Sequence, residues 1–235
     1  MFKDKDKILS AAIIALGIMV LGFCLKSGID SFVNKNRVIT VKGLAEMQVP
    51  ANKVTWPIVT KEMGNNLQAL YATVNAKNNA ILAFLKKNGI EDSEISVNAP
   101  TVYDRDANDY TTQRSLDRYN VTSVVTVTSS QVDKVRAIIA RQGELLNQGI
   151  AIVQSYENDI VYEYTSFNEI KPKMMDEALE NAKKTAQQFA DKSGSKLNKI
   201  EHADQGVFSI ENRDGNTPYI KNLRVVSTIS YSLKD

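Results

Sequence analysis

Residues 178–194 read ALENAKKTAQQFADKSG, with alanine at positions 178, 182, 186 and 190. Positions four apart lie one turn above another on an α-helix, so Ala178, Ala182, Ala186 and Ala190 form a slowly turning stripe without bulk. Glu177, Glu180, Lys183, Lys184 and Asp191 fall on other faces. Such a stripe lets a helix axis lie close against a sheet, which is ordinary core packing. The helix is expected over Lys171–Lys192, with Ser193-Gly194 as its stop.

The elements around it alternate between strand and helix. Arg37–Val49 has strand alternation, Pro50-Ala51-Asn52 reads as a turn, and Lys53–Lys61 as a second strand. Pro57 cannot donate to a ladder, so the Trp56-Pro57 stretch is expected at an edge or a bulge. Leu67, Leu70, Tyr71, Val74, Asn78, Ile81, Leu82 and Leu85 recur at spacings of three and four, a helix interrupted only by Asn78 and ended by Asn88-Gly89. Glu94–Tyr103 and Arg118–Thr128 are expected to pair as a hairpin, and Val132–Leu146 to form another helix. Ile150–Thr165 reads as extended, broken near Asn158-Asp159. After Leu197–Ile210 and a turn at Arg213–Asn216, the last strand sets Leu223, Val225, Ser227, Ile229, Tyr231 and Leu233 on one face. The expected fold class is α+β, a mixed and largely antiparallel sheet with about three helices packed on one of its faces.

The amino-terminal part is of another kind. No charge interrupts Ile8–Leu25, whose eighteen residues span roughly 27 Å as a helix, close to the hydrocarbon thickness of a bilayer. Lys3, Lys5 and Lys7 precede it and Lys26 follows. The run exceeds a signal-peptide core, and Gly22 and Cys24, flanked by Phe23 and Leu25, make a poor cleavage site. Phe23 also stands where a small residue should precede a lipidated cysteine. The expected organisation is a cytoplasmic tail (1–7), a retained transmembrane anchor (8–25), a linker (26–36) and an extracytoplasmic domain (37–235). The sole cysteine, Cys24, lies in the span, so the domain carries no thiol and tolerates an oxidising compartment. Of 29 basic and 27 acidic residues, the first 36 positions hold five and three; 24 of each remain in 37–235. A neutral domain has no excess field for nucleic acid, which is excluded as a partner.

The 178–194 helix with Lys196–Ile200 behind it, and the opening strand RVITVKGLAE at 37–46, resemble the SIMPL-domain family over nearly all of Arg37–Asp235. The strand ends in the family's Gly-x-Ala/Gly-Glu pattern. The resemblance implies an envelope protein, usually exported in bacteria, with a mixed α/β fold and a tendency to self-assemble. The family has no established catalytic residues, so none is carried over. Its members often have a cleavable signal, from which the uncut span of this chain departs.

Candidate chemistry is sparse. Asp104, Asp106 and Asn108 match the start of a calcium loop, but the sixth position is Asp109 instead of glycine and the twelfth is Ser115 instead of glutamate. These residues read as a solvated hairpin tip. His202 is the only histidine, which rules out a two-histidine metal site within one chain, and no G-x-S-x-G elbow or phosphate-binding glycine motif occurs. No catalytic, cofactor or metal residues are assigned. Asn120-Val121-Thr122 fits a glycosylation pattern but reads as strand alternation. Trp56, Tyr103, Tyr110 and Tyr119 are the candidate interface residues, because aromatic side chains combine apolar area with a polar tip. Tyr156, Tyr162 and Tyr164 follow further on.

The function expected is non-enzymatic envelope assembly or binding by a homo-oligomer. Its partners would be the lipid bilayer, further copies and an envelope protein, and its location the inner membrane with the domain in the periplasm. The alternatives are an envelope stress-protective enzyme and an accessory subunit of a membrane transporter. A carboxylate-lined pocket around His202 would favour the enzyme, and an exposed His202 would disfavour it.

Overall fold

The structure, a computed structural model, describes residues 2–34, 37–108, 116–154 and 156–234. The chain opens with helix α1 (Phe2–Asn34) and divides into two compact units, the first of which includes that helix. One comprises Met1–Met47, Ile170–Ser209 and Leu223–Asp235; the other comprises Gln48–Glu169 and Ile210–Asn222.

In the first unit, strands β1 (Val38–Pro50) and β7 (Lys196–Asp204) flank β9 (Ile220–Lys234), and helix α6 (Phe167–Lys192) supplies the packing layer. Strand β8 (Phe208–Asn212) also pairs with β9. The alanine stripe does what its spacing implies: Ala178, Ala182, Ala186 and Ala190 are all fully buried. Ala182 and Ala186 pack with Val41, Ile229 and Tyr231. How near the layers come is measured at Gly43 of β1. A Cβ added there would lie 1.9 Å from the Ala178 carbonyl oxygen and 2.8 Å from the Ala182 Cβ. Helix α6 begins at Phe167, before the expected Lys171, and keeps Pro172 inside at the cost of one backbone bond.

The second unit is built on a sheet of order β3-β5-β2-β6, with β4 also paired to β5. Its strands are β2 (Lys53–Gly64), β3 (Ile95–Val97), β4 (Thr101–Asp104), β5 (Tyr119–Ser129) and β6 (Val161–Glu163). All four of its strand pairings are antiparallel. Helices α2 (Leu67–Lys87) and α4 (Val132–Ala140) cover the face that carries Val54, Trp56, Ile58, Val125 and Val127. Asn88 caps α2, and Gly89 takes the left-handed conformation at φ +82°.

Several sequence expectations need correction. The one expected sheet is two, because β1 and β2, adjacent in the chain, pair with β9 and β5 and belong to different sheets. The first arm of the expected hairpin is split into β3 and β4 around Asn98-Ala99-Pro100, where the proline has no N–H to give. The expected 132–146 helix breaks after Ala140, and a separate turn, α5 (Gly143–Leu146), follows. Within the expected extended run 150–165, the strand among the described residues is the short β6; Val153 adds a single backbone bond to Val59.

Pro57 is accommodated without a bulge. Strand β2 pairs with β5 throughout, but β6 reaches only Lys53, Val54 and Thr55. The Val59 carbonyl accepts from Val153 on the side away from β5. Residues two apart point the same way, so the missing donor of Pro57 also faces away from β5, beyond the end of β6.

Among the described residues no helix is long and apolar enough to cross a membrane. The spanning segment expected over Ile8–Leu25 is therefore not supported by the structure.

Candidate functional site

The four expected interface residues do not form one surface. Trp56 is a core side chain, only 2% exposed, on the face that packs with Val54 and Ile58. Tyr103 is 49% exposed on β4. Its register partner is Asn120, whereas Tyr119 lies opposite Asp104, so the two tyrosines project from opposite faces of the sheet. Tyr119 packs at the margin of Leu70, Val74 and Val121, with the Arg118 guanidinium 5.0 Å from its ring centre. Tyr110 lies outside the described residues.

The described start of the 104–109 stretch, Asp104 to Ala107, is tied up in the protein's own contacts. Arg118 grips Asp104 in bidentate fashion, Nε to Oδ1 at 3.0 Å and Nη2 to Oδ2 at 2.8 Å, which holds that carboxyl below its ordinary range. The Ala107 N–H donates to Asp104 Oδ1 at 3.3 Å within a single helical turn, α3 (Arg105–Asn108). Asn65 fastens the returning chain, donating to the Leu116 carbonyl and accepting from the Arg118 N–H. Asp109 and Ser115 lie outside the described residues. Among the described residues no group of three or more His, Cys, Asp or Glu side chains is placed to hold a metal.

Asn78, the exception in the α2 pattern, has a physical reason. It is buried and exchanges hydrogen bonds with Ser123 of β5, giving one at 2.9 Å and accepting one at 3.1 Å. Beside Ser123 in register stands Thr60, 1% exposed, whose hydroxyl has no hydrogen-bond partner among the described residues. One turn of strand further, Glu62 meets Lys77.

A second polar cluster was not foreseen. Lys221, at the start of β9, is only 8% exposed, donates to Asn212 Oδ1, and is pushed below the ordinary lysine range by burial, against the pull of Glu163. Glu163 is also held by Lys53 at 2.9 Å. Tyr162 and Tyr219 meet edge to face at 6.1 Å, and the Arg136 guanidinium stacks 3.4 Å from the Tyr219 ring centre. The signal was available: extending the buried face of β9 back from Leu223 by two residues lands on Lys221. The Tyr219 contacts tie β6 and α4 to the turn that leads into β9, and Lys221 ties β9 to β8.

His202 lies in open water. Its Nε2 is 2.9 Å from Asp204 Oδ2, and the two side chains are 68% and 67% exposed. They belong to β7, the feature that stands out as a surface. This strand ends its sheet, and eight of its nine residues are exposed. Ile200, at its centre, is 53% exposed, and Val207 just beyond it is 88% exposed. Its pairing to β9 slips twice, between Leu197 and Ile200 and between Ile200 and His202.

A two-sheet α+β chain with an alanine-faced helix locked over its first strand is the class so defined. Residues 39–225 match the model of the SIMPL family, a protein family of unknown function (DUF541), and the chain belongs to that family. No curated protein matches it.

Proposed function

We propose that this SIMPL protein is an anchored, extracytoplasmic module that works without catalysis, by assembling with further copies of itself at the cell envelope. The open β7 edge carries the proposal. An edge strand offers an unpaired row of backbone N–H and C=O groups to another chain, and eight of the nine residues of β7 are exposed. The His202–Asp204 pair is open to water, its side chains about two-thirds exposed, which favours binding over acid–base chemistry.

Anchoring is supported by the uncharged run Ile8–Leu25 with lysines on both sides. From Ile13 to Leu25 its large apolar side chains are 57–78% exposed, bare grease that needs a non-aqueous cover. The test is the mass of the detergent-solubilised full chain, with the detergent contribution subtracted, together with its retention in membranes after an alkaline wash. An oligomer retained in the pellet is expected. A strictly monomeric protein at micromolar concentration, or one released by the wash, contradicts the proposal.

A further inference from the structure

We propose that β7 is a self-complementary strand that pairs antiparallel with β7 of a second copy, about a twofold axis through Ile200. Its sequence, Lys196-Leu-Asn-Lys199-Ile200-Glu201-His202-Ala-Asp204, is a charge palindrome. An antiparallel pair centred on Ile200 joins residues whose numbers add to 400. Lys199 then faces Glu201, Lys196 faces Asp204, Leu197 faces Ala203, and Ile200 faces itself. Every lysine and every carboxylate of the strand meets an opposite charge, each contact twice by symmetry.

Neighbouring registers fail the same test. Moving the centre to Lys199 or to Glu201 sets like charges face to face, and a slip of half that amount sets Lys199 against Ile200 or His202. Parallel in-register stacking places every charge against its own kind. Electrostatics therefore selects both the orientation and the register, which a merely sticky edge would leave open. The exposed Ile200 supplies apolar contact at the axis.

The other edge of the same sheet is a weaker candidate. Strand β1 carries one comparable pair, Lys42 and Glu46 about Leu44, where β7 carries two, and the Leu44 carbonyl at its centre already accepts from Asn181 Nδ2 at 2.8 Å. Lysines and strand irregularities also protect edges from pairing, and β7 has both. What separates a protected edge from an interface is the palindrome: protection needs only lysines, whereas here each one has its carboxylate at the mirror position.

The proposal rests on copies associating at all, and the experiment keeps the two claims apart. Cys24, exposed on α1, is the sole thiol, so Cys24→Ser gives a clean background. Into that full-length chain Ile200→Cys, Ala203→Cys and Leu44→Cys are introduced singly, and each protein in detergent is treated briefly with diamide. Twofold pairing brings the two residue-200 Cα atoms to about 4.5–5.5 Å, within disulfide reach. It holds the two residue-203 positions six residues apart along the strands, roughly 20 Å. A disulfide dimer is expected from the 200 variant, at least about tenfold more than from the 203 or 44 variants. Equal yields at 200 and 203, or a dominant yield at 44, overturn the register. If the chain sediments as an oligomer yet none of the three crosslinks, β7 pairing is wrong and assembly survives; if the parent chain is a monomer, both fail.

Discussion

Replacing Gly43 by alanine probes the contact that locks α6 over β1. The added Cβ would sit 1.9 Å from the Ala178 carbonyl oxygen, 2.9 Å from its carbon and 2.8 Å from the Ala182 Cβ. Two of these three obstacles are helix backbone, which cannot swing aside as a long side chain can. A carbon and an oxygen need roughly 3.3 Å, so helix and strand must part by more than 1 Å over a stripe whose alanines are fully buried. Overpacking of well-filled cores costs about 1–3 kcal/mol, and a backbone obstacle points to the upper end, about 3 kcal/mol. For a chain of this size that lowers Tm by roughly 6–12 °C. The assay is thermal unfolding followed by circular dichroism, beside Gly143→Ala as a control. Among the described residues, nothing beyond its own helix and chain neighbours lies within 4 Å of a Cβ added at Gly143, where Tm should hold or rise slightly. If Gly43→Ala melts within about 2 °C of the parent chain, the close approach of α6 to β1 is wrong.

Four more outcomes are expected. Thr60→Val removes a buried hydroxyl without a hydrogen-bond partner among the described residues and should raise stability by about 1 kcal/mol in urea unfolding. Asn78→Ala strands the Ser123 hydroxyl and should cost about 1–3 kcal/mol, whereas Asn78→Leu with Ser123→Ala should lose much less. Trp56→Ala should cost about 3–5 kcal/mol through the cavity it leaves, where an interface residue would change association and leave the melting point alone. Asp214 is held at about 2 by the Thr217 hydroxyl, Arg213 and the N–H groups of Asn216 and Thr217. Its folded pKa lies below the ordinary value of 3.8, so its contribution is complete above that value and is lost as pH falls towards 2. Asp214→Asn should flatten the pH dependence of unfolding in that window.

The parts of the fold that were legible in the sequence are those with a strong local period. Alanine every fourth residue identified α6, the three-and-four spacing identified α2, and strict alternation gave the buried face of β9. The pairing of 94–103 with 118–128 was legible because the two arms are close in the chain; the division into two sheets was not, because which strand lies beside β1 or β2 depends on distant parts of the chain. Trp56 was misread as surface although Val54 and Ile58, two residues to either side, already marked its face as core. Asn78 looked like a flaw and is half of a buried polar pair. Strand β7 was the hardest to read, since a strand exposed on both faces shows no hydropathy period. What it does show is the order of its charges, and that order acquires meaning only once the strand is known to end a sheet.

Sedimentation equilibrium of four full-length proteins in detergent, the parent chain, Lys199→Glu, Glu201→Lys and the double variant, asks most directly whether the molecule assembles through β7. Opposite-charge pairs across strands contribute about 0.2–1 kcal/mol each, and symmetry turns each single change into two repulsive contacts. Association of either single variant should weaken about tenfold or more, and the double variant, with the charges exchanged, should recover. Equal masses for all four, or a double variant weaker than both singles, would contradict it.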